Sequence, residues 1–190
     1  MNILKAIWSF FGLYQTKIIR RLHVLILILV LSQIIVSNWM VGTKSVVLPF
    51  FDKAYLFTWV HIISGFLLLF LTFFLVIYCF KDRGLKYFYP YLWGDFKQLK
   101  NDIRTLLMRK LPNSSPRGLA ATVQGLGLGA LSIVILSGVA WFILWVQQSP
   151  LALEARSIHK LLTILIEIYI YGHGGLGIIH FVIWYKGKQK

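Results

Sequence analysis

The chain is 190 residues long, 58% hydrophobic and only 14% charged, with a mean hydropathy of +0.73 and a formal net charge of +14. A soluble core of this size cannot hide so much apolar surface, which leaves an integral membrane domain. The single cysteine, Cys79, excludes a disulfide framework and a cysteine-ligated iron–sulfur cluster, and reads as a small hydrophobe at a helix end.

The first twenty residues do not read as a cleavable signal. Trp8, Phe10 and Phe11 stand between Lys5 and Lys17, and no A-x-A site follows the next apolar run. The first membrane helix is expected to serve as its own targeting signal. Four apolar spans follow, at 22–41, 56–80, 120–146 and 158–184. Each is long enough to cross ~30 Å of hydrocarbon at ~1.5 Å per residue. The expected fold is an all-α integral membrane protein, a four-transmembrane-helix bundle forming a single domain over 1–190.

Basic residues set the expected orientation. Lys5, Lys17, Arg20 and Arg21 precede the first span with no acid among them, and Lys186, Lys188 and Lys190 end the chain. The 81–118 connection carries nine basic residues against three acids, whereas 42–55 and 147–157 are nearly neutral. The positive-inside rule then puts both termini and the 81–118 connection in the cytoplasm. The isoelectric point of 10.1 is on this view a topology signal, with no nucleic-acid partner implied.

Within that connection, Phe96, Leu99, Ile103, Leu106 and Leu107 recur at helical spacing, with Lys97, Lys100, Arg104, Arg109 and Lys110 between or after them. The pattern predicts an amphipathic helix lying in the inner membrane face, or one that covers a partner's docking surface. Tyr87, Phe88, Tyr89, Tyr91 and Trp93 suit a headgroup-level aromatic belt.

Four histidines carry the functional argument. An imidazole in hydrocarbon is costly without a partner. His159 and His173 share the last span, fourteen residues apart. On an α-helix they fall about 40° apart around the axis and ~21 Å apart along it. They face one way at two depths, so one metal cannot bind both, whereas two stacked cofactors can use one each. His61 follows the outer connection and matches His159 in depth. His23 lies just inside the cytoplasmic edge and matches His173. Two bis-histidine haems follow as the expectation, since neutral imidazole ligates iron well and two axial histidines saturate it, favouring electron transfer over oxygen binding.

His180 is a fifth histidine, about 20° round and ~10 Å beyond His173. It is an alternative ligand level with His23, or a contact for a haem propionate, a quinone oxygen or the headgroups. Gly65, Gly125, Gly127, Gly129 and Gly138 leave room for flat rings or for close helix packing, and Gly172, Gly174, Gly175 and Gly177 surround His173. Arg20, Arg21, Arg156 and Lys160 are cations suited to propionates or lipid phosphates. Glu167 is the one acid deep in a span, and Gln33 and Gln124 are polar side chains there that suit helix–helix hydrogen bonding. There is no glycine-rich nucleotide fingerprint, no HExxH and no nucleophile elbow, so no catalytic residue is assigned.

RLH at 21–23, HIISG at 61–65, HKLLTILIEIYIYGHGGLGIIH at 159–180 and, more loosely, PRGLAATVQG at 116–125 together resemble the bacterial cytochrome b561 superfamily. That superfamily includes the cytochrome b subunits of nickel–iron hydrogenase and formate dehydrogenase. The resemblance spans about 22–185. It departs at Val24, where the family often has tryptophan after its first histidine. The resemblance implies two heme b groups on His23, His61, His159 and His173, with His180 near the quinone; Arg21, just before His23, is on its charge alone suited to a propionate of the inner cofactor. It also implies electron exchange between membrane quinone, ubiquinone or menaquinone, and another redox protein. Partners implied are a periplasmic dehydrogenase, hydrogenase, reductase or cytochrome, or a second copy in a homodimer. The chain would then be the electron-transfer membrane subunit of an oxidoreductase. The competing readings are a standalone superoxide- or small-acceptor:quinone oxidoreductase, a labile haem-handling protein, and a non-redox membrane assembly protein.

Overall fold

The computed structural model describes residues 2–40 and 55–188. Val41, nearly all of the 42–55 connection and Lys190 lie outside them. Among the described residues every element is helical. A short α1 (Ile3–Phe11) precedes α2 (Lys17–Ser37) and α3 (Leu56–Arg83). A one-turn α4 (Leu85–Phe88), a 3-10 turn (Pro90–Trp93) and α5 (Lys97–Leu107) lead to α6 (Leu119–Val146). The last span is α7 (Ala152–Tyr169), a π turn (Ile170–Gly174) and α8 (Gly175–Gly187). Among the described residues four helices are long and apolar enough to cross a membrane: α2, α3, α6 and the continuous α7–α8 rod.

The helices depart from the apolar runs at their ends. The first begins at Lys17 rather than 22, and the last runs over Ala152–Gly187 rather than 158–184. Hydropathy falls where Lys17, Arg20, Arg21, Glu154 and Arg156 enter, but these residues are adequate helix formers and extend the backbone ladder into the polar layer. The last span holds 36 residues, or roughly 54 Å at ~1.5 Å each, which exceeds the hydrocarbon thickness. Its end is therefore free to meet α1. Ala6 and Phe10, one turn apart, are buried, and Phe10 packs on Phe181 and Trp184, each at 5.5 Å between ring centres.

Within the bundle α2 lies on α3, α6 on α7, and α3 meets α6. Ile26, Val30, Leu68, Leu131, Ile135 and Ile166 form one buried layer drawn from all four spans. Ile62, Trp141 and Trp145 form a second. Ile28, Phe70, Phe74, Leu136 and Ile168 point outward and stay exposed, a surface suited to lipid tails. Inside, Gln33 donates to the His61 carbonyl at 3.1 Å and to the Ser64 hydroxyl, tying α2 to α3 and satisfying an amide that hydrocarbon would otherwise penalise.

The 81–118 connection is anchored to the bundle by polar contacts. Asp102 is buried, accepts the Leu119 N–H at 2.7 Å and receives Gln98 Nε2 at 2.8 Å. A carboxylate from α5 thus caps the N-terminus of α6, where the helix dipole favours an anion. Gly118 is required there, because a Cβ would run into the Asp102 carboxylate. Phe96, Ile103, Leu106 and Leu107 of α5 remain exposed. Tyr89 donates to the Gly125 carbonyl at 2.8 Å, and a Cβ on Gly125 would come within 2.9 Å of Phe88, so the glycine admits the turn against α6.

Candidate functional site

Two histidine pairs lie at two levels of the bundle. His61 of α3 and His159 of α7 meet with ring centres 6.3 Å apart and planes at 77°. His23 of α2 and His173 of the π turn meet at 6.1 Å, with planes at 26°. Two imidazoles bound across one metal, at ~2 Å per bond, hold their ring centres roughly 6 Å apart. Among the described residues no group of three or more His, Cys, Asp or Glu is placed to hold a bare metal ion. Paired imidazoles alone leave an octahedral metal four ligands short, the number a porphyrin supplies.

At the first level His159 is held from behind. Its Nδ1–H donates to the Val134 carbonyl at 3.1 Å, and the Ser137 hydroxyl lies 2.9 Å from the same nitrogen. Ser137 in turn donates to Val134 at 2.7 Å. This arrangement selects the tautomer whose Nε2 is bare and ready to ligate. Gly138 makes the approach feasible, since a Cβ there would sit 3.0 Å from His159 Cε1. His61 Nδ1 is buried with no hydrogen-bond partner among the described residues. A cavity of about 670 Å³ opens beside both rings, lined also by Gly65, Gly138, Arg156, Lys160 and Glu167. That volume is within the range of cofactor pockets, about 300–1,000 Å³. The donor set, the spare nitrogen and the glycine-widened cavity all fit a flat, acidic-edged, metal-bearing ring.

The second level is built differently. His173 sits in a π turn, a local widening often found where a side chain must be re-aimed. Ideal α-helical arithmetic stops applying past Tyr169. The Tyr169 ring lies 4.9 Å from that of His173 and 8° from parallel. Gly127 makes room for it, because a Cβ there would overlap the Tyr169 ring. Phe11 lies 5.8 Å from the His23 ring, and Gln15 Nε2 lies 2.7 Å from His23 Nδ1. Among the described residues a Cβ at Gly172, Gly174, Gly175 or Gly177 would meet nothing within 4 Å, so packing against those residues does not require these glycines.

The remaining sequence candidates separate. Arg20 is engaged by α1, donating to the Trp8 carbonyl at 2.7 Å with its guanidinium 4.0 Å over the Trp8 ring. Arg21 is exposed, and His180 is half-buried on α8. Glu167 lines the cavity at the His61–His159 level. Gln15, Ser137 and Tyr169 escaped sequence reasoning. A signal existed for Ser137, adjacent to Gly138, but none for Gln15, which reaches His23 from a turn.

Four apolar helices enclosing paired histidines define a multi-pass helical protein of the inner membrane. Over residues 14–188 the chain matches the family model described as prokaryotic cytochrome b561, and it belongs to that family. Membership gives it a haem-based, electron-transfer role in the membrane. No curated protein and no solved structure matches the chain.

Proposed function

We propose that this chain is a dihaem b-type cytochrome that transfers electrons between a redox partner and the membrane quinone pool. The observation that carries the reading is the pair of His–His separations, 6.3 and 6.1 Å, each suited to one metal between two imidazoles. On this reading His61 and His159 hold one haem b, and His23 and His173 hold the other. Haem b, when bound, supplies a one-electron couple that works without an open ligand position.

The chain's own residues do the rest. Val134 and Ser137 hold the His159 proton on Nδ1, keeping Nε2 a ligand. The apolar layers around Ile135 and Trp141 exclude water. Arg156, Lys160 and Arg21 offer positive charge to acidic edges. The basic residues place both termini and the 81–118 connection in the cytoplasm, with α5 along the membrane surface. His61 and His159 then lie toward the periplasm, where a partner protein docks, alone or on a homodimer. His23 and His173 lie toward the cytoplasm, with His180 beside the quinone. The chain is on this account the electron-transfer membrane subunit of an oxidoreductase.

Pyridine-haemochrome assay and redox difference spectra of purified protein provide the test. Two haem b per chain are expected. His61→Ala and His159→Ala should remove one centre, and His23→Ala and His173→Ala the other. A wild-type chain with no haem, or losses in crossed pairs, would sink the reading.

A further inference from the structure

We propose that Gln15 is a positioning residue for His23, setting the tautomer and the electron density of that ligand from outside the spanning helices. The inference rests on the dihaem reading and deepens it.

The geometry is specific. Gln15 lies in the turn between α1 and α2, eight residues before His23, and its amide comes within 2.7 Å of His23 Nδ1. The two ends of an amide are interchangeable at such a contact. With Nε2 facing Nδ1, the imidazole proton sits on the histidine's Nε2, and that nitrogen cannot ligate. With Oε1 facing it, Nδ1–H donates to the amide and Nε2 is free. Gln15 Oε1 is buried and has no partner among the described residues, so no second bond on that oxygen holds the amide in the first orientation. Metal binding at His23 therefore selects the Oε1-facing form.

The two levels differ in what stands behind the ligand. His159 donates to a backbone carbonyl of α6, which no substitution removes. His23 depends on a side chain carried by the turn after α1. That turn is held on one side by Phe10 against Phe181 and Trp184, and on the other by Arg20 against Trp8. An acceptor on the far nitrogen makes an imidazole a more basic ligand and favours the oxidised metal. The His23–His173 centre is thus tunable through α1, whereas the His61–His159 centre is not.

The test is potentiometric titration of the purified full chain, reading each haem's midpoint potential. Gln15→Leu removes the acceptor and should raise the potential of one haem, shifting its oxidised-to-reduced ratio about tenfold, or about 59 mV for one electron. Gln15→Glu offers a stronger acceptor and should lower the same potential. The other haem should not move, and the responding haem should be the one that His23→Ala abolishes. Opposite signs separate this role from a merely structural one, which would shift both variants alike. Shifts of one sign in both variants, or none in either with two haems bound, would overturn the inference while leaving the dihaem reading intact. A wild-type chain without two haems would instead overturn that reading. Should Gln15→Leu load poorly, Gln15→Glu decides: a downward shift supports the role, and any other result refutes it.

Discussion

Gly127→Ala is expected to damage the His23–His173 level and spare the other. A methyl at Gly127 would overlap Tyr169 at Cζ, Cε2 and Oη. Those are atoms of a rigid ring, and the ring cannot withdraw freely. Its face lies 4.9 Å from His173, and the residue packs against the layer that includes Leu131 and Ile166. Overpacking of this kind costs about 1–3 kcal/mol. If that strain is relieved by displacing Tyr169 and His173, a group held by His173 binds roughly 5- to 150-fold more weakly. Haem content per chain, redox difference spectra and thermal unfolding in detergent read the effect. The centre lost with His173→Ala should weaken, and the centre lost with His159→Ala should keep its potential. Adding Tyr169→Ala should recover much of the loss, because the two sites share one contact. Gly172→Ala is the control: a methyl there meets no atom of the described residues within 4 Å, so the unloaded chain should be nearly unchanged in stability. Gly127→Ala with two undisturbed centres and wild-type stability would refute the reasoning.

Two further outcomes follow from the connection between α3 and α6. Asp102→Ala leaves the Leu119 N–H without its buried acceptor and should cost about 2 kcal/mol, with Asp102→Asn recovering part of it, as read by thermal unfolding and by protease sensitivity of the connection. Burial, and then neighbouring Tyr91, push the Tyr89 hydroxyl above the ordinary tyrosine value of about 10. The folded chain therefore holds that proton more tightly than the unfolded chain. This contribution is complete below the ordinary value and disappears as pH rises through the folded one. Stability should fall across that alkaline window in the wild type, and less steeply in Tyr89→Phe.

The four spans, the basic connection and the two histidine pairs that meet across the bundle were legible in the linear chain. A bilayer imposes a local rule: about twenty apolar residues with every backbone group bonded within the helix, whatever the neighbours do. An imidazole placed in such a run stands out for the same reason. The spacing of His159 and His173 was legible as depth. The helix ends were less so, because Lys17 and Glu154 lower hydropathy without ending a helix.

What the sequence by itself determined is thus the four-span architecture and the histidines set inside it, since both follow from each segment's own exchange between water and hydrocarbon. Only the tertiary structure decided which side chains stand behind those residues. Val134 and Ser137 reach His159 from another helix, Gln15 reaches His23 from a turn, Tyr169 lies on His173 because Gly127 lets it, and Asp102 caps a helix seventeen residues downstream. Apart from Tyr169 and His173, four residues apart on one helix, such contacts join residues with no periodic relation along the chain. Their energies exist only after the helices have packed, so no pattern in the linear order announces them.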